Sequence, residues 1–201
     1  MSEKKPPSFN ERLRRLQPWQ QLAFATALAQ RAAPNYLLFC EATAFGDTQA
    51  YQKLLNLLWE SLLAKDAKIN WAVQQDKLPE LQPEPEDFEV YGVYPALDAV
   101  MALEVAVEQA LKQDEENAVR ASKLSRSTVR QYLEMQAPDD LDEKELGQWI
   151  RYQDLMADEN AFQDELLSQV TAQFQPHNPL LKGVRLLAGN EGVSNLGISL
   201  D

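Results

Sequence analysis

The stretch that decides the fold is residues 51–63, which read Tyr-Gln-Lys-Leu-Leu-Asn-Leu-Leu-Trp-Glu-Ser-Leu-Leu. Its apolar side chains recur every three or four residues, which places them on one face of a helix. The apolar face comprises Tyr51, Leu54, Leu55, Leu58 and Leu62, and the opposite face carries Lys53, Asn56 and Glu60. Because Leu57, Trp59 and Leu63 widen the apolar face, we expect this helix to lie near the centre of the core.

Helix boundaries in the first half of the chain are marked by small polar residues and prolines. Ser8, followed three residues later by Glu11, has the spacing of a capping box. Pro18 is expected to begin a helix that runs to about residue 32, and Pro34 is expected to open a separate short helix. Asp47 is predicted to be the N-cap of the central helix.

The second half also has helical periodicity, interrupted by a proline-rich acidic segment. Residues 79–90 are predicted to form a surface loop. The helices predicted after it span residues 96–113, 117–135, 141–174 and 180–188. Residues 1–7 are expected to be disordered and residues 189–201 to form an extended tail. No segment alternates with a period of two, so the prediction is one all-α domain, residues 1–201, a bundle of about seven or eight helices.

Composition excludes several classes of protein. The chain has 201 residues, of which 45% are hydrophobic, with a single Cys40 and a single His177. One cysteine excludes an internal disulfide, and one histidine excludes a histidine-rich metal site. The sequence therefore predicts no metal and no cofactor. The longest apolar stretch, residues 94–107, contains two acidic residues and is too short to span a membrane, so we expect a cytoplasmic protein that makes no membrane contact.

Charge is distributed unevenly along the chain. The 31 acidic and 19 basic residues give a net charge of −12, which makes binding to nucleic acid unfavourable. Residues 117–133 differ, because they contain four basic residues and no acidic one. These four are Arg120, Lys123, Arg126 and Arg130, spaced along one face of a predicted helix. Two interpretations stay open: the stripe docks an anion or RNA, or it faces water and the acidic segments of the same chain.

A second candidate site centres on Asp98, which falls within an apolar run beginning at Tyr94. A buried carboxylate without a partner costs several kcal/mol, so Asp98 must be solvated, protonated or paired. The candidate polar pocket around it comprises Arg31, Asn35, Asp47, Lys65, Asp66, Tyr94 and Asp98. The sequence does not decide whether such a cluster holds the fold together or lines a pocket.

Several short strings, taken in order, resemble a known family. They are Trp19-Gln20, Arg31 with Pro34-Asn35-Tyr36, Phe39-Cys40, Phe45-Gly46-Asp47, Trp59-Glu60, Lys65-Asp66-Ala67-Lys68, Asp87-Phe88, Tyr91-Gly92-Val93-Tyr94-Pro95-Ala96, Asp98-Ala99 and Ser194-Asn195-Leu196-Gly197. Their order and spacing resemble the YjaG-like family of bacterial proteins, whose function is unknown. The resemblance implies an all-helical bacterial cytoplasmic protein, and it implies no activity and no catalytic residue.

Three functions are compatible with these observations. The leading hypothesis is a non-catalytic interaction or binding module, whose partner is another protein or a second copy of the chain. The alternative is an enzyme with an acidic and lysine-containing pocket, with or without a divalent metal. The third is a protein that binds an anion or RNA through the basic stripe.

Overall fold

Nine α-helices make up most of the residues that the computed structural model describes, 6–64 and 66–200. They are α1 (Phe9–Arg14), α2 (Pro18–Thr43), α3 (Thr48–Leu63), α4 (Trp71–Gln75), α5 (Val93–Lys112), α6 (Glu116–Gln136), α7 (Glu143–Arg151), α8 (Asp154–Thr171) and α9 (Asn178–Gly189). Short 3-10 helices cover Leu78–Leu81, Pro85–Asp87 and Asn190–Gly192. With no strand among the described residues, the all-α prediction is confirmed. The predicted disorder of residues 1–7 falls largely on residues 1–5, which lie outside the described ranges.

Helix α2 is the centre of the molecule, and it packs against α3, α5, α6, α8 and α9. Most of its residues are buried, and many of them are alanines, whose small side chains let neighbouring helices approach closely. Helix α3 packs against it with the face that the sequence predicts, since Tyr51, Leu54 and Leu58 are all buried. The apolar face of α3 is therefore confirmed, although α2 occupies the more central position.

The prediction that Pro34 opens a new helix is wrong, because α2 continues through it without interruption. A proline inside a helix removes one backbone hydrogen bond and disturbs the carbonyl groups of the preceding turn. The carbonyl that loses its helical donor is that of Gln30, four residues before Pro34. Pro34 is buried among the helices that pack around α2, and this packing stabilises the helical conformation.

The turn between α2 and α3 follows the predicted capping pattern. Asp47 is the N-cap of α3, and its carboxylate accepts a hydrogen bond from the Ala50 amide at 2.9 Å. Gly46 precedes it with φ +80°. A Cβ atom at this position would lie 2.5 Å from the hydroxyl oxygen of Tyr36, so the turn requires glycine for both space and conformation.

The single long helix predicted over residues 141–174 is also wrong, because the chain breaks at Tyr152 and Gln153 into α7 and α8. Ile150 of α7 joins a small cluster with Val129 and Leu133, and the first turn of α8 packs against the same cluster. The later turns of α8 belong to the main core. Helix α7 therefore packs on the small cluster, and α8 extends from that cluster to the main core.

Two segments predicted as loop and tail are more ordered than expected. Within residues 79–90, Leu81 is buried and Phe88 packs edge-on against Phe39, with ring centroids 4.9 Å apart. The extended tail is not confirmed, because Val193 pairs with Ser199 in an isolated antiparallel bridge and the segment doubles back. None of the described helices is sufficiently long and apolar to cross a membrane.

Candidate functional site

The seven residues predicted to form one polar pocket occupy separate places. Asp47 is exposed and caps α3, as described above. Asp66 is exposed in the turn that follows α3, and Lys65 lies outside the described residues. The remaining four divide into two pairs: Tyr94 with Asp98 on α5, and Arg31 with Asn35 on α2.

Asp98 lies half-buried on α5, against α6. Its Oδ2 atom accepts a hydrogen bond from the Thr128 hydroxyl at 2.7 Å. Among residues 6–64 and 66–200, no basic side chain forms an ion pair with it. Burial raises the pKa of the Asp98 carboxyl, and the Thr128 hydrogen bond opposes this shift only in part. The carboxylate is therefore partly removed from water without a compensating positive charge.

Three tyrosine rings lie close together near this part of α5. The ring centroid of Tyr91 lies 5.8 Å from that of Tyr94 and 6.1 Å from that of Tyr132. Burial raises the pKa of Tyr91, and the negative charge of Asp98 raises it further. We call Tyr91, Tyr94, Asp98 and Tyr132 the tyrosine face. Aromatic ring faces and a carboxylate both attract a cation.

Arg31 is paired with a residue that the sequence reasoning missed. Its Nε atom lies 3.3 Å from Oε2 of Glu159, and both side chains are buried. The other oxygen of Glu159 accepts hydrogen bonds from the Ser125 hydroxyl and the Gln163 amide, each at 2.6 Å. The Arg31 guanidinium also stacks over the Phe162 ring, 4.1 Å from its centroid. Both buried charges are thus compensated, which is the arrangement of a structural network.

Asn35 connects the same network to the C-terminal segment. Its amide donates to Oδ1 of Asn195 at 3.0 Å, and the Asn195 amide donates to the backbone oxygen and hydroxyl of Ser125 at 3.3 Å and 3.2 Å. Leu196 packs into the small apolar cluster beside Val129. The C-terminal segment is therefore docked on its own chain, between α2 and α6.

Glu159 and Gln163 carry a signal that the sequence analysis overlooked. Both residues share a helical face with the buried Phe162, Leu166 and Val170 of α8. An acidic residue at an apolar-face position must be paired when the face is buried. If Glu159 is taken as buried, the sequence predicts a buried basic partner for it. Arg31, which lies in the apolar helix α2, is the candidate for that partner.

The basic stripe is divided by its neighbours. Arg120 donates to Glu108 of α5 at 2.7 Å and is thereby neutralised. The other three members line a cleft of about 450 Å³ between α6, α7 and α8. They are Lys123, Arg126 and Arg130, and Arg151 at the end of α7 joins them. We call these four residues the basic cleft. Arg151 was missed because a continuous helix was predicted through this region.

The single cysteine and the single histidine lie apart from these sites. Cys40 is buried, as expected for a core residue, and burial raises the pKa of its thiol. His177 is exposed at the start of α9. Within the described ranges, no three His, Cys, Asp or Glu side chains are grouped as a metal site would require.

Comparisons with known proteins confirm the resemblance seen in the sequence. Residues 8–199 match the family described as protein of unknown function (DUF416). The chain is 38% identical to uncharacterized protein YjaG of Escherichia coli K12 over 188 residues, which is 93% of this chain and 94% of that protein. It is 33% identical to an uncharacterized protein of Haemophilus influenzae, over 94% of this chain and 95% of that protein.

A solved structure has the same fold. The crystal structure of a DUF416 family protein from Shewanella baltica OS155 superimposes with a TM-score of 0.91 at 40% sequence identity. The alignment covers 96% of this chain and 100% of that chain.

Proposed function

The chain belongs to the DUF416 family of proteins of unknown function, and on this premise we propose that it is a non-catalytic cytoplasmic module that docks a basic partner protein on its tyrosine face. The observation that carries the proposal is the half-buried carboxylate of Asp98, one helical turn from the exposed Tyr94 and without a basic partner among the described residues. The cytoplasmic location follows the expectation from the sequence.

A lysine or arginine of a partner would gain two interactions on this face. It would form a charge-assisted hydrogen bond with Asp98, which folding has already removed in part from water. It would also contact the ring faces of the tyrosines, which attract cations. Tyrosine is enriched at the energetic centre of protein interfaces because it brings a large contact area with little conformational freedom to lose.

The face extends along α5 with the composition that a basic, partly apolar partner requires. Tyr94, Asp98, Met101 and Glu104 follow one another at spacings of three or four residues and so share one side of the helix. Tyr94 is 48% exposed and Met101 is 40% exposed. The net charge of −12 attracts a basic partner from a distance and accelerates its association.

Site-specific photo-crosslinking in cells tests the proposal. Tyr94 is replaced by p-benzoylphenylalanine, and Tyr152 is replaced in a matched control. Tyr152 lies outside the tyrosine face and is 82% exposed, so it reports collisions that depend on exposure alone. We expect a discrete adduct from position 94 and none from position 152, and we expect Asp98→Asn to abolish the adduct.

The adduct also identifies the partner. An adduct with another protein would identify the basic partner, whereas an adduct with twice the subunit mass would show a second copy of this chain, whose net charge of −12 contradicts a basic partner. The same adducts from both positions, or an adduct that Asp98→Asn leaves unchanged, would refute docking on the tyrosine face.

A further inference from the structure

The basic cleft is a second site, separate from the tyrosine face, and we propose that it binds a small organic phosphate. It is a space of about 450 Å³ where α6, α7 and α8 meet, which is within the size range of small-molecule sites. Lys123, Arg126, Arg130 and Arg151 line it, and no Asp or Glu of the described chain does so. Four cations gathered around one cleft are unexpected in a chain with a net charge of −12.

Arg126 is held in position at the cleft before any ligand binds. Its Nε atom donates to Oδ1 of Asn160 at 2.8 Å, and its Nη1 atom donates to the Ser122 hydroxyl at 2.6 Å. The guanidinium also stacks over the Phe9 ring, 4.6 Å from its centroid. None of the described carboxylates forms an ion pair with this half-buried guanidinium, although the charges of Glu159 and Asp164 act on it from a longer distance. An anion in the cleft would add the direct contact.

Lys123 and Arg151 bring two further charges that the described residues leave unpaired. Both side chains are exposed, one on α6 and the other at the end of α7, on different sides of the cleft. Arg130 is paired with Glu134 of its own helix at 2.7 Å, in an exposed contact of the kind that contributes little to stability. The cleft therefore offers cations on several sides, which suits the oxygen atoms of a phosphate group.

The remaining lining is partly apolar and leaves room beside the cations. Ile150 and Met156 supply apolar surface next to the charged groups. Gly147 lies in the interior of α7, where glycine destabilises a helix relative to alanine. Nothing lies within 4 Å of the position that a Cβ atom would take at residue 147, so packing does not explain the glycine. A glycine that borders the cleft leaves space for the organic part of a ligand.

A small ligand fits the charge distribution better than a nucleic acid does. The basic cleft is one local cluster, and the acidic segments elsewhere would repel a long phosphate backbone. A ligand the size of the cleft contacts the cations without reaching the acidic segments. The shared presence of cations and apolar side chains favours a phosphate ester over inorganic phosphate.

Isothermal titration calorimetry of the full chain at low ionic strength tests the proposal, with phenyl phosphate as the probe and inorganic phosphate as its comparison. We expect phenyl phosphate to bind more tightly. The variant Lys123→Gln/Arg151→Gln should weaken binding by about tenfold per side chain removed. The matched control, Lys53→Gln on the exposed face of α3, should bind as the wild-type chain does.

The variant Gly147→Phe tests the space in the cleft independently of its charge, because it keeps all four cations and fills the space between them. We expect it to lose phenyl phosphate while its circular dichroism spectrum stays that of the wild type. Undetectable wild-type binding, equal affinity for the two phosphates, or unchanged affinity in Lys123→Gln/Arg151→Gln would overturn the proposal. An equal loss in Lys53→Gln would overturn it as well, because attraction would then depend only on total charge.

Discussion

Removing the carboxylate of Glu159 is the perturbation whose outcome the structure specifies most fully. Glu159→Leu leaves the Arg31 guanidinium in the interior without its counter-charge, since Nε of Arg31 now lies 3.3 Å from the carboxylate. It also removes the acceptor of the hydrogen bonds from Ser125 and Gln163. Arg31 cannot move readily into water, because it lies on α2 at the centre of the molecule and stacks on Phe162.

The expected loss of stability in Glu159→Leu follows from the burial of both charges. Breaking a buried ion pair by removing one partner costs about 3–5 kcal/mol. For a chain of this size each kcal/mol lowers Tm by about 2–4 °C, so the expected loss is about 6–20 °C. Removing both charges in Arg31→Met/Glu159→Leu leaves no unpaired ion, and the remaining cost is the lost acceptor, about 1–3 kcal/mol. The double variant should therefore be more stable than Glu159→Leu.

Urea unfolding, monitored by far-ultraviolet circular dichroism, measures the free energy of unfolding of the wild type, the two single variants and the double variant. We expect the two substitutions to be strongly non-additive, with the double variant less destabilised than the sum of the single variants. The exposed pair of Arg120 and Glu108 is the control, because breaking it should cost no more than about 1 kcal/mol. Additive losses at Arg31 and Glu159, or equal losses at the two pairs, would refute the assignment of a buried network.

Three further outcomes follow from single positions. Gly147→Ala should raise the free energy of unfolding by about 1 kcal/mol, measured by urea unfolding, because alanine favours a helix interior and nothing crowds the site. Asp98→Asn should stabilise the chain at neutral pH and keep the Thr128 hydrogen bond. Since burial raises the pKa of Asp98 in the folded state, its contribution to stability is full below the unfolded value of 3.8 and is lost as pH rises through the raised value. The advantage of Asp98→Asn should therefore vanish in acid, which thermal melts across that range will show. Asn195→Ala should cost about 1–3 kcal/mol in urea unfolding, because it leaves the Asn35 amide buried without an acceptor.

Each of these outcomes has a contrary result that would count against its reasoning. A loss of stability in Gly147→Ala would mean that the residue is constrained by more than helix propensity. An advantage of Asp98→Asn that persists unchanged in acid would mean that its cause is not the ionisation of the carboxyl. Leu200→Ala is the control for the C-terminal segment, because Leu200 is exposed and should tolerate truncation. Equal effects at residues 195 and 200 would show that the Asn195 hydrogen bonds contribute nothing specific.

Features that depend on neighbouring residues in the chain were determined by the sequence by itself. The capping box of Ser8 and Glu11, the N-cap Asp47 and the apolar face of α3 all appear in the structure as predicted. Caps and helical periodicity involve residues only three or four positions apart, so they are visible in a local pattern. The order and spacing of short strings also indicated the family, which the comparisons confirm.

Features that depend on contacts between distant helices were decided only by the tertiary structure. Pro34 stays within α2, where the helices packed around α2 bury it. Arg31 was predicted near Asp98 but pairs with Glu159, 128 residues away, and Asp98 accepts a hydrogen bond from Thr128 instead. The free energy of a buried charge depends on which groups pack around it, and local spacing does not contain that information. For the same reason the basic cleft was predicted only as a stripe, since Arg151 lies at the end of α7, beside a break in the helix that local periodicity did not show.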